Sequence, residues 1–265
     1  MLRFRHIPIA LISLILSSSA FAGETHDIRS KLSAGDYSSA YIEAAQLETV
    51  NGYGLAAEIL LTEIMLGQAQ KNKKQAKRAR KLAGAALQLD PNDQNARLQY
   101  AIADGFVTRE TGDVSAWMKK LPQKTEAIVQ AYRNDFPTDP RGDALLGAWH
   151  LAIARKAGNK NAEKWFDASI AQGRALFQSA READGNDIII NVNYAFSLLA
   201  LDEEDVMDVS EAQKILSMAM KTEPTNHLEQ VLATYAEEAF AQIDDRKRVQ
   251  RYTEMFLEGE QPSFE

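Results

Sequence analysis

From Glu24 onward, apolar residues recur at the three- and four-residue spacing that places them on one face of a helix. Leu55, Ile59, Thr62 and Leu66 share one stripe, and Ala79, Leu82, Ala83, Ala86 and Leu87 share another. Alanine is frequent, and it combines high helix propensity with close helix–helix approach. The pattern breaks at Gly35-Asp36, Asn51-Gly52, Pro91-Asn92, Pro122, Pro137 with Pro140, Gly158-Asn159, Gly185-Asn186 and Pro224. These residue types end helices or open turns. Between them the spacing predicts helices of 11 to 24 residues, including a long one over Asn161–Ala183. The one β-like run, Ile188 to Val192, is too isolated to build a sheet and reads as the start of a buried helix. The expected class is all-α, built of antiparallel helix pairs.

A spacing repeats within this pattern. Leu66-Gly67 is followed by Ala79, Ala86 and Pro91 at steps of 12, 7 and 5, and Leu199-Ala200 by Ala212, Ala219 and Pro224 at the same steps. Small residues at such places let two helices cross closely, while the proline ends one pair and opens the next. Tyr37, Ala40, Leu47 and Gly52, and then Gly173, Ala180 and Gly185, carry partial copies. The run Ala83 to Asn92 (AGAALQLDPN) looks like a helix end with its exit turn, and Gly35 to Ala40 (GDYSSA) like the start of a second helix.

On these residues the chain resembles the tetratricopeptide repeat family, whose units are helix pairs of about 34 residues. The resemblance is clearest over 60–93 and 193–226 and extends to 25–53 and 143–186. It departs at Glu63 and Ala83, where the family has bulky apolar residues, and residues 104–122 carry no repeat signal. The resemblance implies a right-handed superhelix over residues 23–265, with a concave face that binds a peptide or another ligand. It places Ile64, Gln68 and Asn72, then Tyr194, Ser197 and Leu201, on that face, with Asn191 and Asn193 nearby.

The first 22 residues follow a different pattern. Arg3, Arg5 and His6 precede ten apolar residues, Ile7 to Leu16, and Ala20-Phe21-Ala22 forms a small-x-small cleavage site. This is the layout of a secretory signal peptide. An apolar run of ten is too short to span a bilayer core of about 30 Å. Cleavage between Ala22 and Gly23 would leave 243 residues and take the formal charge from −7 to −9. The expected location is a bacterial periplasm, without a stable membrane anchor after processing.

Composition then narrows the chemistry. The chain of 265 residues is 45% hydrophobic and 25% charged, enough for a sizeable core. It contains no cysteine, which excludes thiol catalysis, disulfides and thiolate metal sites. The acidic balance argues against non-specific nucleic-acid binding. His26, His150 and His227 lie far apart and form no metal-binding pair, and His150 reads as a packing histidine beside Trp149. Gly52 to Ala57 fits a loose dinucleotide pattern, but a helix rather than a strand precedes it, so it reads as an interhelical turn. Asp184 to Asp187 and Asp202 to Asp205 read as capping and solvated turns rather than calcium loops. No catalytic residue, cofactor or metal is expected.

The strongest charge feature is Lys71–Lys81, where seven of eleven residues are basic. Lys74, Lys77, Arg78 and Lys81 form one stripe opposite Ala76, Ala79 and Ala83. It reads first as a solvated face and second as contact with an anionic partner. Trp117, Trp149 and Trp165, with Phe166 and Phe177, suggest a bulky core for the 143–183 pair, or an aromatic pocket.

The leading expectation is a non-enzymatic periplasmic scaffold for a protein or peptide, with self-association through repeat surfaces also open. A small-ligand-binding protein associated with a transporter is the alternative, and an envelope glycan-processing enzyme the third. An open concave surface favours the scaffold. A closed pocket lined by Trp149 and Trp165 with His150 favours the small ligand. Two carboxylates about 5 to 10 Å apart in a deep cleft favour the enzyme.

Overall fold

The computed structural model describes residues 25–202 and 209–264, so the proposed signal peptide and Glu203–Asp205 lie outside the described residues. The described residues form helices and connecting turns, without strands. Residues 25–33 form α1. It is followed by α2 (Tyr37–Gln46), α3 (Val50–Met65), α4 (Asn72–Leu89), α5 (Gln94–Arg109), α6 (Asp113–Met118) and α7 (Leu121–Asp135). Then come α8 (Pro140–Ala157), α9 (Asn159–Phe166), α10 (Ile170–Ala183), α11 (Ile188–Leu199), α12 (Val209–Ala219), α13 (His227–Ala241) and α14 (Arg246–Leu257).

A polar residue before the apolar run starts eight of these helices. Asp36, Thr49, Asp93, Asp139, Ser169, Asp187, Asn226 and Asp245 each accept a hydrogen bond from a first-turn backbone N–H. Each such cap satisfies a donor that the helix leaves open. Thr49 displaces the break expected at Asn51-Gly52: its Oγ1 accepts from Gly52 N–H, and both glycines of the loose dinucleotide pattern lie inside α3. That stretch is the first turns of a helix and not an interhelical turn. Ile188 to Val192 does start a buried helix, capped by Asp187.

The single long helix expected over Asn161–Ala183 is two helices. Asp167 adopts a left-handed conformation (φ 54°), and Ser169 restarts the chain as the cap of α10. Ser169 and Gln172 bond reciprocally at that start, Gln172 N–H to the hydroxyl and the hydroxyl to the Gln172 side chain. The Ser-x-x-Gln spacing is a capping signature. The region without repeat signal, 104–122, holds the end of α5, the short α6 and the first turn of α7, whose second residue is Pro122.

The repeated spacing marks matching places in two hairpins. Leu66-Gly67 and Leu199-Ala200 fall at the ends of α3 and α11, and Pro91 and Pro224 precede α5 and α13. Between them Ala79 and Ala86 on α4, and Ala212 and Ala219 on α12, are fully buried. Their partners are α3 and α11, and each second helix also packs on the helix that follows. Glycine performs the same service between α8 and α10. A Cβ on Gly173 would lie 2.7 Å from Leu151 Cγ, and one on Gly147 would lie 2.9 Å from Phe177 Cδ2.

Helix α11 is the hub. Ten of its twelve residues are buried, and it touches α8, α10, α12, α13 and α14. A helix apolar on all sides belongs at the centre of a core. A second apolar cluster joins α3, α4 and α5, and a third joins α1, α2 and α3, against which Leu228 and Val231 of α13 pack. Helices α2 and α3 therefore meet α13. Tyr37 Oη lies 2.8 Å from His227 Nδ1, and Tyr235 donates to the Leu66 carbonyl. Past α14 the chain lies against the first half, where Asn72 Nδ2 donates to the Gly259 carbonyl at 2.9 Å. Gly67 turns with φ +69°, and a Cβ there would strike Gln261 at 2.2 Å.

Candidate functional site

An apolar cavity of about 460 Å³ is walled by α5, α6, α7 and α8, with single contributions from α3 and α9 and two residues each from α11 and α14. Most of its wall is apolar: Ile102, Phe106, Val129, Leu145, Trp149 and Ile153 face it, with alanines filling the gaps. The groups that build this wall are tied from behind. Asp104, buried on α5, receives Arg80 of α4 on one carboxylate oxygen and the Thr125 hydroxyl of α7 on the other, both at 2.8 Å. Thr125 also bonds Thr108 at 2.9 Å, and both threonines face the cavity. Trp149 is locked by donation from its Nε1 to the Pro122 carbonyl at 3.0 Å.

The charged groups in the wall are Arg109, Arg155 and Lys156, at the C-terminal ends of α5 and α8. Arg109 donates to the Leu257 carbonyl at 3.0 Å and to Glu110, and its guanidinium lies 4.5 Å from the Phe106 ring. Arg155 donates to the Glu258 carboxylate, and Lys156 stands 3.5 Å from the same group. Burial lowers the Arg109 pKa, opposed by Glu110 and Glu258. Burial pushes the Glu258 carboxyl up, but the hydrogen bond and charge of Arg155, with Lys156 and Arg109, hold it below its ordinary value. Among the described residues no Asp, Glu or His side chain lines the cavity, so none of them brings a carboxylate pair or an imidazole to its wall.

The residues singled out in the sequence fall into three groups. Trp149, Asn193 and Ser197 share the cavity wall. Ile64, Asn191 and Tyr194 are buried, so none of them presents a concave surface. Asn191 bonds the Arg181 side chain and the Gly185 carbonyl, and Tyr194 stacks on Phe177 and donates to Glu211. Leu201 is fully buried as well. The third group lies elsewhere. Gln68 is exposed in the turn after α3, and Asn72 holds the C-terminal segment. On α4, Lys74, Lys77, Arg78 and Lys81 are exposed opposite buried Ala76, Ala79 and Ala83, and Arg78 lies over the Tyr41 ring at 4.7 Å.

His150 is buried behind Trp149, its ring edge-on to the indole, and its Nδ1 accepts from Ser169 N–H at 3.3 Å. Burial lowers its pKa, and it does not reach the cavity wall. The expected bulky aromatic core is half correct. Trp149 and Phe177 are buried, but Trp117 and Trp165 are each 59% exposed. The break at Asp167 ends α9 after two turns, and Ala162 is the one α9 residue that is buried. Trp165 is left outward under Lys164, while Phe166 turns to the cavity. Trp117 of α6 both lines the cavity and is largely exposed, and so stands at its rim.

Reading the sequence did not find Arg109 or Arg155. Both sit in the last turn of a helix, where a basic residue is expected merely to complement the helix dipole. At Asp184–Asp187 the side chains cap turns and helices: Asp184 accepts from Asn186 N–H and Asp187 from Ile190 N–H. Among the described residues no group of three or more His, Asp or Glu is arranged to hold a metal. No protein-family model matches the chain, and no curated protein matches it either.

Proposed function

We propose that this chain is an exported, tetratricopeptide-like helical protein whose internal cavity binds a small, largely apolar molecule. The cavity itself carries this reading. At about 460 Å³ it falls in the range of roughly 300–1,000 Å³ typical of small-molecule sites, which are apolar with a few placed polar groups. An apolar space of this size costs stability when empty, because its lining forgoes dispersion contacts. A ligand that fills it restores them. The repeated small-residue spacing supports the tetratricopeptide-like reading, and the signal-like pattern of residues 1–22 supports export to the periplasm. No helix among the described residues is long and apolar enough to cross a membrane.

A second reading keeps a protein or peptide partner, docked on the α4 face. Its basis is that Lys74, Lys77 and Lys81 are exposed and take part in none of the ion pairs found among the described residues. Self-association through this face belongs to the same reading.

A neutral fluorescent naphthylamine probe tests the cavity. Ala152 lines the cavity and is exposed to it, so Ala152→Trp fills the space without entering the core. The probe is expected to bind the native chain with enhanced emission and to lose at least tenfold in affinity in Ala152→Trp, with thermal stability retained. Equal binding by both proteins would remove the cavity as the site.

A further inference from the structure

The polar side chains of the cavity wall are not equally free. Thr108 and Thr125 bond each other, and Thr125 also donates to Asp104. Arg109 is held by Glu110 and the Leu257 carbonyl, and Arg155 and Lys156 by Glu258. Trp149 gives its one ring N–H to the Pro122 carbonyl. Asn193 and Ser197 of α11 differ from all of these.

Ser197 is 6% exposed, and its hydroxyl makes no hydrogen bond among the described residues. The hydroxyl is not sealed by its neighbours either, so the surface it keeps opens to the cavity that Ser197 lines. Asn193 is half-buried and donates through Nδ2 to the Ile189 carbonyl at 2.8 Å, which leaves its Oδ1 without a donor among the described residues. Four positions apart on one helix, the two side chains are neighbours on one face, with Cβ atoms about 5–6 Å apart. The other polar residues of α11 bond within the fold, Asn191 to the Gly185 carbonyl and Tyr194 to Glu211. Buried polar groups are nearly always satisfied, because an open one costs its desolvation. This pair therefore calls for a group that both donates and accepts. Helix α11 is the buried hub, so the pair stands on the inner wall, while Trp117 marks the rim.

The geometry points to an uncharged alcohol or phenol on a bulky apolar skeleton as the ligand: its hydroxyl donates to Asn193 Oδ1 and accepts from the Ser197 hydroxyl. This rests on the cavity reading above and specifies what fills it. A hydroxyl carries both functions on one oxygen. An ether or ketone accepts from Ser197 but leaves Asn193 Oδ1 open, and a carboxylate sets its negative charge against that oxygen. An ammonium group brings a charge that no carboxylate of the described wall pairs. Phe106, Trp149 and Phe166 supply ring faces for the skeleton.

Titration calorimetry on the full, delipidated chain compares naphthol, its methyl ether and naphthoate, which share a ring system and differ in the polar group. Naphthol is expected to bind about tenfold more tightly than the ether, the worth of one buried hydrogen bond, with naphthoate the weakest. Ser197→Ala and Asn193→Ala are each expected to abolish that preference while leaving the affinity for the ether unchanged. The comparison within the native chain stands even if one variant folds poorly. Ether equal to naphthol would overturn the hydroxyl assignment and mean that water satisfies the pair. Naphthoate as the tightest ligand, or a preference for naphthol that survives in both variants, would overturn it as well. Binding of the naphthylamine probe without binding of naphthol would overturn the assignment and leave the cavity reading intact. Binding of neither the probe nor any of the three would overturn the cavity reading itself.

Discussion

At the scale of single residues, glycine and alanine decide how close the helices come. Gly147 and Gly173 face each other across the α8–α10 crossing, and either one gaining a Cβ would meet atoms closer than 3.0 Å. Gly84 on α4 differs, because its nearest neighbour would be Tyr100 Cε2 at an ordinary 3.7 Å. The same substitution should therefore have opposite signs at the two places. Gly173→Ala overpacks a tight crossing and is expected to cost about 1–3 kcal/mol. Gly84→Ala removes backbone freedom from the unfolded chain and is expected to stabilise by about 0.5–1 kcal/mol. Urea unfolding of both variants measures this, and a loss of stability at Gly84 would show that the α4–α5 contact is tighter than its distances. The alanine spacing was legible because small residues must recur wherever hairpins cross. The Gly147–Gly173 contact was not, since the sequence does not say which two glycines meet.

At the scale of elements, capping chemistry places most helix starts, and structure departs from apolar periodicity where a cap intervenes. Thr49 moved the start of α3 ahead of Asn51-Gly52, and Ser169 divided a run that apolar periodicity alone left whole. Periodicity reports which face is buried and is blind to a break that preserves the phase. The Ser-x-x-Gln signature at Ser169 was the available signal. Ser169→Ala removes the acceptor for Gln172 N–H and is expected to cost about 1 kcal/mol. Amide exchange should rise in the first turn of α10 and leave α12 untouched. Unaltered exchange at Gln172 would mean that the α9–α10 break is held by tertiary packing instead. That break turns Trp165 outward while Phe166 faces the cavity, so a local cap has a consequence for the site.

At the scale of the whole molecule, the C-terminal segment joins the two halves. Arg155 of α8 binds Glu258, Arg109 of α5 binds the Leu257 carbonyl, and Asn72 of α4 binds the Gly259 carbonyl. Glu258 has a pKa held below the ordinary 4.5. A carboxylate depressed on folding contributes stability that is complete above its unfolded value and is lost as pH falls through its folded one. The native chain is therefore expected to exceed Glu258→Gln in thermal midpoint at neutral pH, with the gap closing in acid below pH 4.5. A gap that persists unchanged into strong acid would assign the difference to shape and hydrogen bonding rather than to charge.

The linear order of residues by itself determined the all-helical class, most turns and the buried alanine faces of the hairpins, because helix periodicity, caps and breakers act within a few residues of one another. It also determined the exposed basic stripe on α4, since seven cations within eleven positions cannot all be buried. The cavity belongs to the tertiary structure alone. Its wall gathers residues from Met65 to Leu257, and its lining residues Arg109 and Arg155 are 46 positions apart on helices joined through intervening elements. Each residue has an ordinary local explanation as core, gap-filler or helix-end charge. Only when the segment after α14 lies against Asn72, Arg109 and Arg155 do those separate residues enclose one space.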